Sequence, residues 1–424
     1  MEFGLTGARR ERRDAMFDAA RKRLHDASGP SSEQLSAPPS ESPSESPSES
    51  PSESPSESPS ESPSESPSES SSESPSRPFT RERWRAVAEL GATGLCLPGE
   101  HGGGGLGALD TALCLEALSE GCGDTGLAFA VSAHLLACCV AIRDNAGEEV
   151  RAELLPGLAS GELIAANAMT EDEAGSDVSR LATTARRDGD HYVLDGVKSF
   201  ASNAPMADVL VTYAVTDPTL GFLGISAFAV PRDLPGIRVG EPMAKMGLDS
   251  CPAGRVEFSG CRVPARFRLG PEGGGSTVFQ GSMAWERACL PAVYLGMMEE
   301  QLRRAVEHAR ARRQFGRALG DFQAVSHRLV TMKQRLEGAR LLLYRACWAL
   351  DEKDPDAATA AALSKIAVSE AAVASSLDAI QIFGATGYLG AAGVERQLRD
   401  AVPSTIFSGT TEIQRELVAR GLGL

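Results

Sequence analysis

Cysteine chemistry is what this sequence most visibly lacks. Nine cysteines are present, an odd number, with no CxxC pair and no Cys/His cluster at metal-ligand spacing. That argues against a disulfide framework and against a structural zinc site, and it fits a reduced, cytoplasmic protein. Adjacent Cys138 and Cys139 lie in an apolar helical run, where buried thiols are common. The N-terminal stretch MEFGLTGARRERRDAMFDAARKRL lacks the apolar core of a signal peptide. No uninterrupted apolar run reads as long enough to span a bilayer, so no membrane partner is expected. The basic residues between Arg9 and Arg23 fit a plain amphipathic helix with one solvated face.

The net charge of −15 argues against a nucleic-acid partner, but much of it is local. Nine glutamates recur at every fourth position from Glu41 to Glu73, and without them the charge falls to −6. The rest of the chain is only mildly acidic, and its charge says little about a partner. Those glutamates belong to an SPSE repeat across residues 27–77, with almost nothing apolar to bury. Such a stretch cannot offset its ordering entropy and is expected to be a disordered insertion, serving as a passive linker.

What is present falls into three parts, an α+β arrangement that is mainly α. Residues 1–164 read as a helical domain, with the segments ERWRAVAELGATG, ALDTALCLEALSEG, LAFAVSAHLLACCVAIRDNA and EVRAELLPGLASGE separated by Gly-rich joints. One joint, Gly102 to Gly107, formally matches GxGxxG. No strand precedes it, so a flexible loop near a substrate entrance is the better reading. Residues 165–275 alternate and carry β-branched runs (HYVLDG, DVLVTYAVT, GISAFAVP, GRVEFSGCRVP), which predicts an antiparallel domain of short strands. Residues 276–424 are helical again and predict a four-helix bundle. Val325, Leu329, Met332, Leu336, Ala339, Leu343, Ala346 and Leu350 step by four and three, the spacing of a buried helix face.

Three polar clusters stand out. The first is Met169-Thr-Glu-Asp-Glu-Ala-Gly-Ser-Asp177, with Lys198-Ser-Phe-Ala-Ser-Asn203 following. The second is Arg310-Ala-Arg-Arg-Gln-Phe-Gly316 with Asp321-Phe-Gln323. The third is Gln381-Ile-Phe-Gly-Ala385, then Arg399-Asp400 and the closing loop IFSGTTEIQR from Ile406 to Arg415. Singly, each has a bland reading as a polar turn, a solvated helix face or a helix cap.

Together, T-E-x-x-A-G-S-D, then R-x-x-F-G, then G-T-x-x-I-Q resemble the acyl-CoA dehydrogenase family, over essentially everything except the SPSE stretch. The resemblance implies two helical bundles flanking a β domain, bound FAD, a homotetramer, and oxidation of an acyl thioester between its α and β carbons. That reaction needs a carboxylate to remove the α-proton while hydride leaves the β-carbon for flavin N5. Burial against apolar groups raises a carboxylate's proton affinity and suits it as the base.

The resemblance also implies residue roles. Met169, Thr170, Gly175 and Ser176 would lie along the flavin and acyl chain, with Ser176 also facing substrate. Phe200 and Ser202 would flank the isoalloxazine, Phe200 replacing the usual Trp. Arg312, Phe315 and Gln323 would reach the FAD of a neighbouring subunit, and Gln381, Gly384 and Ala385 its adenosine diphosphate. Thr410 and Glu412 would be flavin-side contacts, and Gly409 and Arg287 would face substrate.

The departure is at Ser408. Many members carry the glutamate base immediately before this Gly-Thr, and a serine hydroxyl is too weak an acid to act as an unassisted base. Either activity is lost and a flavin-binding fold kept, or the base lies elsewhere. Glu286, within Ser282-Met-Ala-Trp-Glu-Arg-Ala-Cys-Leu290 at the start of the first helix after the β domain, matches the alternative base position of a branched-acyl subset. The segments MAWERACL, LGMMEEQL, HARARRQFG, QAVSHR and ARLLLYRACW further resemble the L-prolyl-carrier-protein dehydrogenases within that family. Those flavoenzymes oxidise a prolyl thioester on a peptidyl carrier protein to a pyrrole-2-carboxyl thioester in natural-product biosynthesis. Electrons would pass to an electron-transfer flavoprotein or to oxygen. A short or branched-chain acyl-CoA dehydrogenase and a non-catalytic flavin-binding homologue are the alternatives.

Overall fold

The computed structural model describes residues 6–25 and 78–424. The stretch expected to be disordered, residues 27–77, lies outside the described residues. Helix α1 (Gly7–Ala20) is capped by the Thr6 hydroxyl, which accepts from Arg9 N–H at 3.4 Å. Its Met16 and Ala20 are buried against α3 (Ala108–Cys122). The basic face expected to be solvated is instead paired: Arg9 and Arg12 meet Asp110, and Arg13 meets Glu120 at 2.7 Å. Between them in sequence lies α2 (Arg81–Ala88), whose Trp84 is fully buried and donates to Gly161 O at 2.9 Å.

The N-terminal domain continues with α4 (Thr125–Ser132), a π-helical segment (Ala133–Cys139) and α5 (Val140–Asn145), then α6 (Glu148–Ala159). Contrary to the sequence reading, two helices among the described residues are long and apolar enough to cross a membrane, Thr125–Asn145 and Ala357–Phe383. The most apolar window of the first is entirely buried by its neighbours, so its hydrophobicity is that of a core helix. No disulfide joins any of the nine cysteines, and all are buried.

The GxGxxG joint is a packing device. A side chain on Gly103 would meet Leu97 O at 2.2 Å, and Gly104 and Gly105 N–H donate to Gly94 and Leu97 O at 2.9 and 2.8 Å. The loop expected to be loose is therefore tied down. At the N-terminus of α3, Asp351 accepts from Ala108 N–H at 2.6 Å and Leu109 N–H at 3.0 Å. The chain supplies its own anion where a phosphate would sit in a nucleotide loop.

The middle domain holds β1 (Ala165–Ala168), β2 (Thr184–Asp188), β3 (His191–Ser202), β4 (Val209–Val215), β5 (Ile225–Pro231), β6 (Ile237–Val239), β7 (Ala253–Pro264) and β8 (Arg268–Leu269). Their order is β6-β7-β3-β2-β4-β5-β8, with β1 beside β4. The expectation of short, wholly antiparallel strands needs correcting. Strands β3 and β7 have 12 residues each, and β1 and β2 run parallel to β4. A parallel pair needs a crossover, and here the β2–β3 hairpin fills the path from β1 to β4.

The C-terminal domain comprises α7 (Gly275–Cys289), α8 (Ala292–Ala311), a small hairpin of β9 (Arg313–Gln314) and β10 (Arg317–Ala318), α9 (Gln323–Asp351) and α10 (Ala357–Phe383). Shorter helices close it: α11 (Ala385–Tyr388), α12 (Val394–Ala401) and α13 (Thr411–Gly421). On α9, Met332, Leu336, Ala339, Leu343 and Ala346 are buried, and Val325, Leu329 and Leu350 half-buried, as the spacing predicts.

Candidate active site

Helix α7 lies directly on β5. Its first residue must be glycine, because a side chain on Gly275 would meet Ile225 O at 2.7 Å. From there Val278, Ser282, Glu286 and Cys289 fall on one buried face at steps of four and three. Glu286 is thus carried inward by the same periodicity that buries its apolar neighbours. The segment Ser282–Leu290 ends this helix, which runs from Gly275 to Cys289, whereas the sequence reading had it begin the helix.

Facing Glu286 is the loop Ile406–Thr410 that opens α13. Ser408 (φ 55°) and Gly409 (φ 91°) both adopt left-handed backbone, which costs a serine but suits a glycine. Three elements pin this loop. Arg287 Nε donates to Ser408 O at 3.0 Å, Lys365 Nζ on α10 donates to Gly409 O at 2.8 Å, and Gln414 Nε2 donates to both carbonyls at 3.0 and 3.2 Å. Phe407 packs edge-on against Phe129 and stacks near Tyr294, so the loop's other side is apolar.

The carboxylate of Glu286 is asymmetric. Oε1 accepts the Ser408 hydroxyl, whereas Oε2 is buried with no partner. Burial pushes its pKa above the ordinary carboxylate range, and the Ser408 hydrogen bond and the Arg287 charge pull back only part of that rise. Lys365 is pushed down to about 8, by burial first and then by the neighbouring Arg287 cation. The site holds a buried lysine and a half-buried arginine against one buried carboxylate and favours added negative charge.

The first polar cluster folds at the edge of the sheet. Glu171 accepts from Ala182 N–H at 2.7 Å, Thr183 N–H at 3.0 Å and Lys198 Nζ at 2.8 Å. Burial would raise the Glu171 pKa, but Lys198 and these bonds win and hold it below normal. Asp172 accepts from Ser199 Oγ at 2.6 Å and Arg255 at 2.8 Å. These acids are therefore structural and fix the bend that exposes Gly175 and Ser176, with Met169 buried and Thr170 half-buried behind them. Phe200 sits at a register shift between β3 and β7, with φ 57° and 61% of its surface exposed, and Ser202 follows half-buried.

The remaining predicted residues gather at one end of the C-terminal domain. Arg312, Phe315 and Gln323 lie just before, on and after the β9–β10 hairpin, all exposed, with Phe315 93% exposed. Gln381, Gly384 and Ala385 lie at the exposed junction of α10 and α11. The stacking of His308 on Phe383 at 4.3 Å ties the two groups together. The structure thus unites Glu286, Arg287, Gly409 and Thr410 around one loop, and places the other residues on two separate surfaces. Thr410 Oγ1 is the N-cap of α13, accepting from Ile413 N–H at 3.3 Å, while Glu412 points to solvent.

Sequence reading missed Lys365 and Gln414. The signal for Lys365 was present, the one cation in the mostly small and apolar run AATAAALSKIAVSEAAVASS. Asp400 was noted without a role; it is buried, accepts from Leu248 N–H at 2.5 Å, and burial raises it to about 6. Among the described residues, no three His, Cys, Asp or Glu side chains cluster as a metal site.

Three family models match in the order of the three domains: acyl-CoA dehydrogenase N-terminal domain at residues 67–162, middle domain at 166–261 and C-terminal domain at 273–423. The chain belongs to the acyl-CoA dehydrogenase family. Within that family it is 55% identical over 349 residues to an L-prolyl-[peptidyl-carrier protein] dehydrogenase of Pseudomonas fluorescens, covering 82% of this chain and 92% of that one. Among solved structures, one described as PigA with FAD and proline superposes with a TM-score of 0.86 at 38% identity, over 100% of both chains. The prolyl acyl carrier protein oxidase AnaB superposes with a TM-score of 0.85 at 35% identity, over 99% of this chain and 100% of that one.

Proposed function

We propose that this enzyme oxidises an L-prolyl group held as a thioester on a peptidyl carrier protein, with Glu286 as the base and FAD as cofactor. The observation that carries the proposal is the buried, half-partnered Glu286 carboxylate facing the pinned loop at Ser408. It is supported by the likeness to prolyl-carrier enzymes at 55% identity.

FAD fits the residues at hand. Phe200 presents a bare aromatic ring beside the Thr170–Ser176 bend, a surface suited to flank an isoalloxazine. Arg312, Phe315 and Gln323 on one surface, with Gln381, Gly384 and Ala385 beside them, offer a cation, an aromatic face and amides for the adenosine diphosphate of a neighbouring subunit's FAD. Bound there, FAD supplies the hydride acceptor.

The chain's own residues do the rest. Oε2 of Glu286 takes the α-proton, its affinity raised by burial. Arg287 and Lys365 favour the negative charge that develops on the thioester as that proton leaves. Phe129, Phe407 and Tyr294 keep that corner apolar. Two such oxidations, with tautomerisation, convert the prolyl ring to a pyrrole. After each oxidation the two electrons leave to an electron-transfer flavoprotein or to oxygen, which frees the flavin for the next.

The enzyme assembles as a homotetramer in this reading. On α9, Val330, Leu341 and Trp348 stay exposed on one face opposite the buried stripe, and Leu377 of α10 is exposed as well, an apolar surface suited to a partner subunit. The nine buried thiols suit the reducing cytoplasm.

The test is direct. Anaerobic mixing with L-prolyl carrier protein should bleach the bound flavin, isovaleryl-CoA should not, and once an electron acceptor is supplied the loaded carrier should lose four hydrogens by mass. Bleaching by isovaleryl-CoA alone points to a short branched-chain acyl-CoA dehydrogenase. Bound flavin that no thioester bleaches points to a non-catalytic homologue.

A further inference from the structure

We infer that Ser408 is a positioning residue for the base, whose hydroxyl engages Oε1 of Glu286 and leaves Oε2 as the one free oxygen to take a proton. This rests on the proposed role of Glu286 and adds to it a second group that decides which oxygen reacts and at what pH.

Three independent observations meet at this contact. The first is backbone geometry. A serine in the left-handed region is strained, and such strain persists only where the surroundings over-determine it. Here Arg287 of α7, Lys365 of α10 and Gln414 of α13 all donate to the carbonyls of Ser408 and Gly409. Three helices thereby fix where the Ser408 hydroxyl points.

The second is the asymmetry of the carboxylate. One oxygen is bonded and the other is buried without a partner. A buried acceptor left unmade is costly, so it persists where a ligand completes it. A carboxylate held by one oxygen also has its ring of rotations removed before substrate arrives.

The third is the charge surrounding Glu286 from every packed element. Arg287 lies next to it on α7, Cys138 approaches from the π-helical segment and Tyr213 from β4. Burial pushes both of those groups up, so both stay neutral. Arg143 lies over the Trp285 ring, Lys365 stands beyond Arg287, Cys347 donates to Ala288 O, and Asp351 is engaged with α3. Ser408 and Arg287 are then the groups that favour the ionised carboxylate, and Ser408 is the one that touches it.

The experiment titrates Glu286 in the flavin-loaded protein without substrate. Infrared difference spectra against pH report the protonated carboxyl band, identified as the band missing in Glu286→Gln. Wild type, Ser408→Ala and Ser408→Gly are compared; glycine accepts the left-handed backbone freely, so it separates the hydroxyl from the strain. A hydrogen bond to the charged form lowers a pKa, so its loss should raise the midpoint by about one pH unit in both variants. Wild-type midpoints in both would overturn the inference, as would a glycine variant that restores the wild-type value while alanine does not. Because no thioester enters the titration, a failure of prolyl turnover bears on the proposed function alone.

Discussion

Ser408 lies 122 residues along the chain from Glu286, yet its hydroxyl donates to Oε1 of that carboxylate. The residue at the position where the resemblance puts the usual base is therefore in contact with the residue proposed to act as the base here. The loop and the helix share one task, divided between a hydroxyl and an acid.

Removing the acid should stop the chemistry and leave the fold. Glu286→Gln keeps the size and loses the proton acceptor, so turnover of L-prolyl carrier protein should fall by about 10²–10⁴-fold. The flavin absorbance of the purified variant should match wild type. Turnover within a few-fold of wild type would remove Glu286 from the role of base.

The buried pair of Lys198 and Glu171 should govern acid stability. The Glu171 pKa is held below normal, so its contribution is present above the ordinary value of 4.5 and is lost as pH falls through the lower folded value. Lys198→Met strands a buried carboxylate and should cost about 3–5 kcal/mol. Thermal melts should show that loss at neutral pH, shrinking as Glu171 becomes protonated in acid.

Lys365 should act with the same sign in an alkaline window. Its pKa falls from 10.5 to about 8 on folding. Between those values the unfolded chain binds more protons, so this group makes stability rise with pH across that window. Lys365→Met should flatten the rise in melting temperature between pH 8 and 10.5 and loosen the 408–409 loop. An unchanged slope would mean that Lys365 is not held in that depressed state.

Asp351 links two domains by capping α3 from the end of α9. Asp351→Ala leaves Ala108 and Leu109 N–H groups without that anion and should cost about 1–2 kcal/mol. Chemical denaturation checks it, with flavin content expected to hold. A midpoint equal to wild type would show the cap to be dispensable.

Much of the architecture was legible because it is periodic. The four-and-three stripe on α9 and the alternating runs of the middle domain announce which faces are buried before any fold is known. The parallel pairing of β1 and β2 with β4 was not legible, since strand direction depends on where a crossover returns the chain. The apolar run Thr125–Asn145 shows a related limit: it is long and apolar enough to span a membrane, and only its burial by neighbours shows it to be a core helix.

The sequence by itself determined the three-part order, the dehydrogenase motifs and the two positions, Glu286 and Ser408, on which the proposal about the base rests. Residue identity and local spacing carry that much. Only the tertiary structure decided that these two side chains touch, that one carboxylate oxygen is left bare, and that Arg287, Lys365 and Gln414 hold the loop in place. Apart from the local bonds of Gln414, those facts depend on where helices from distant parts of the chain converge, and hydrogen bonds across 44 to 122 residues leave no local pattern to read.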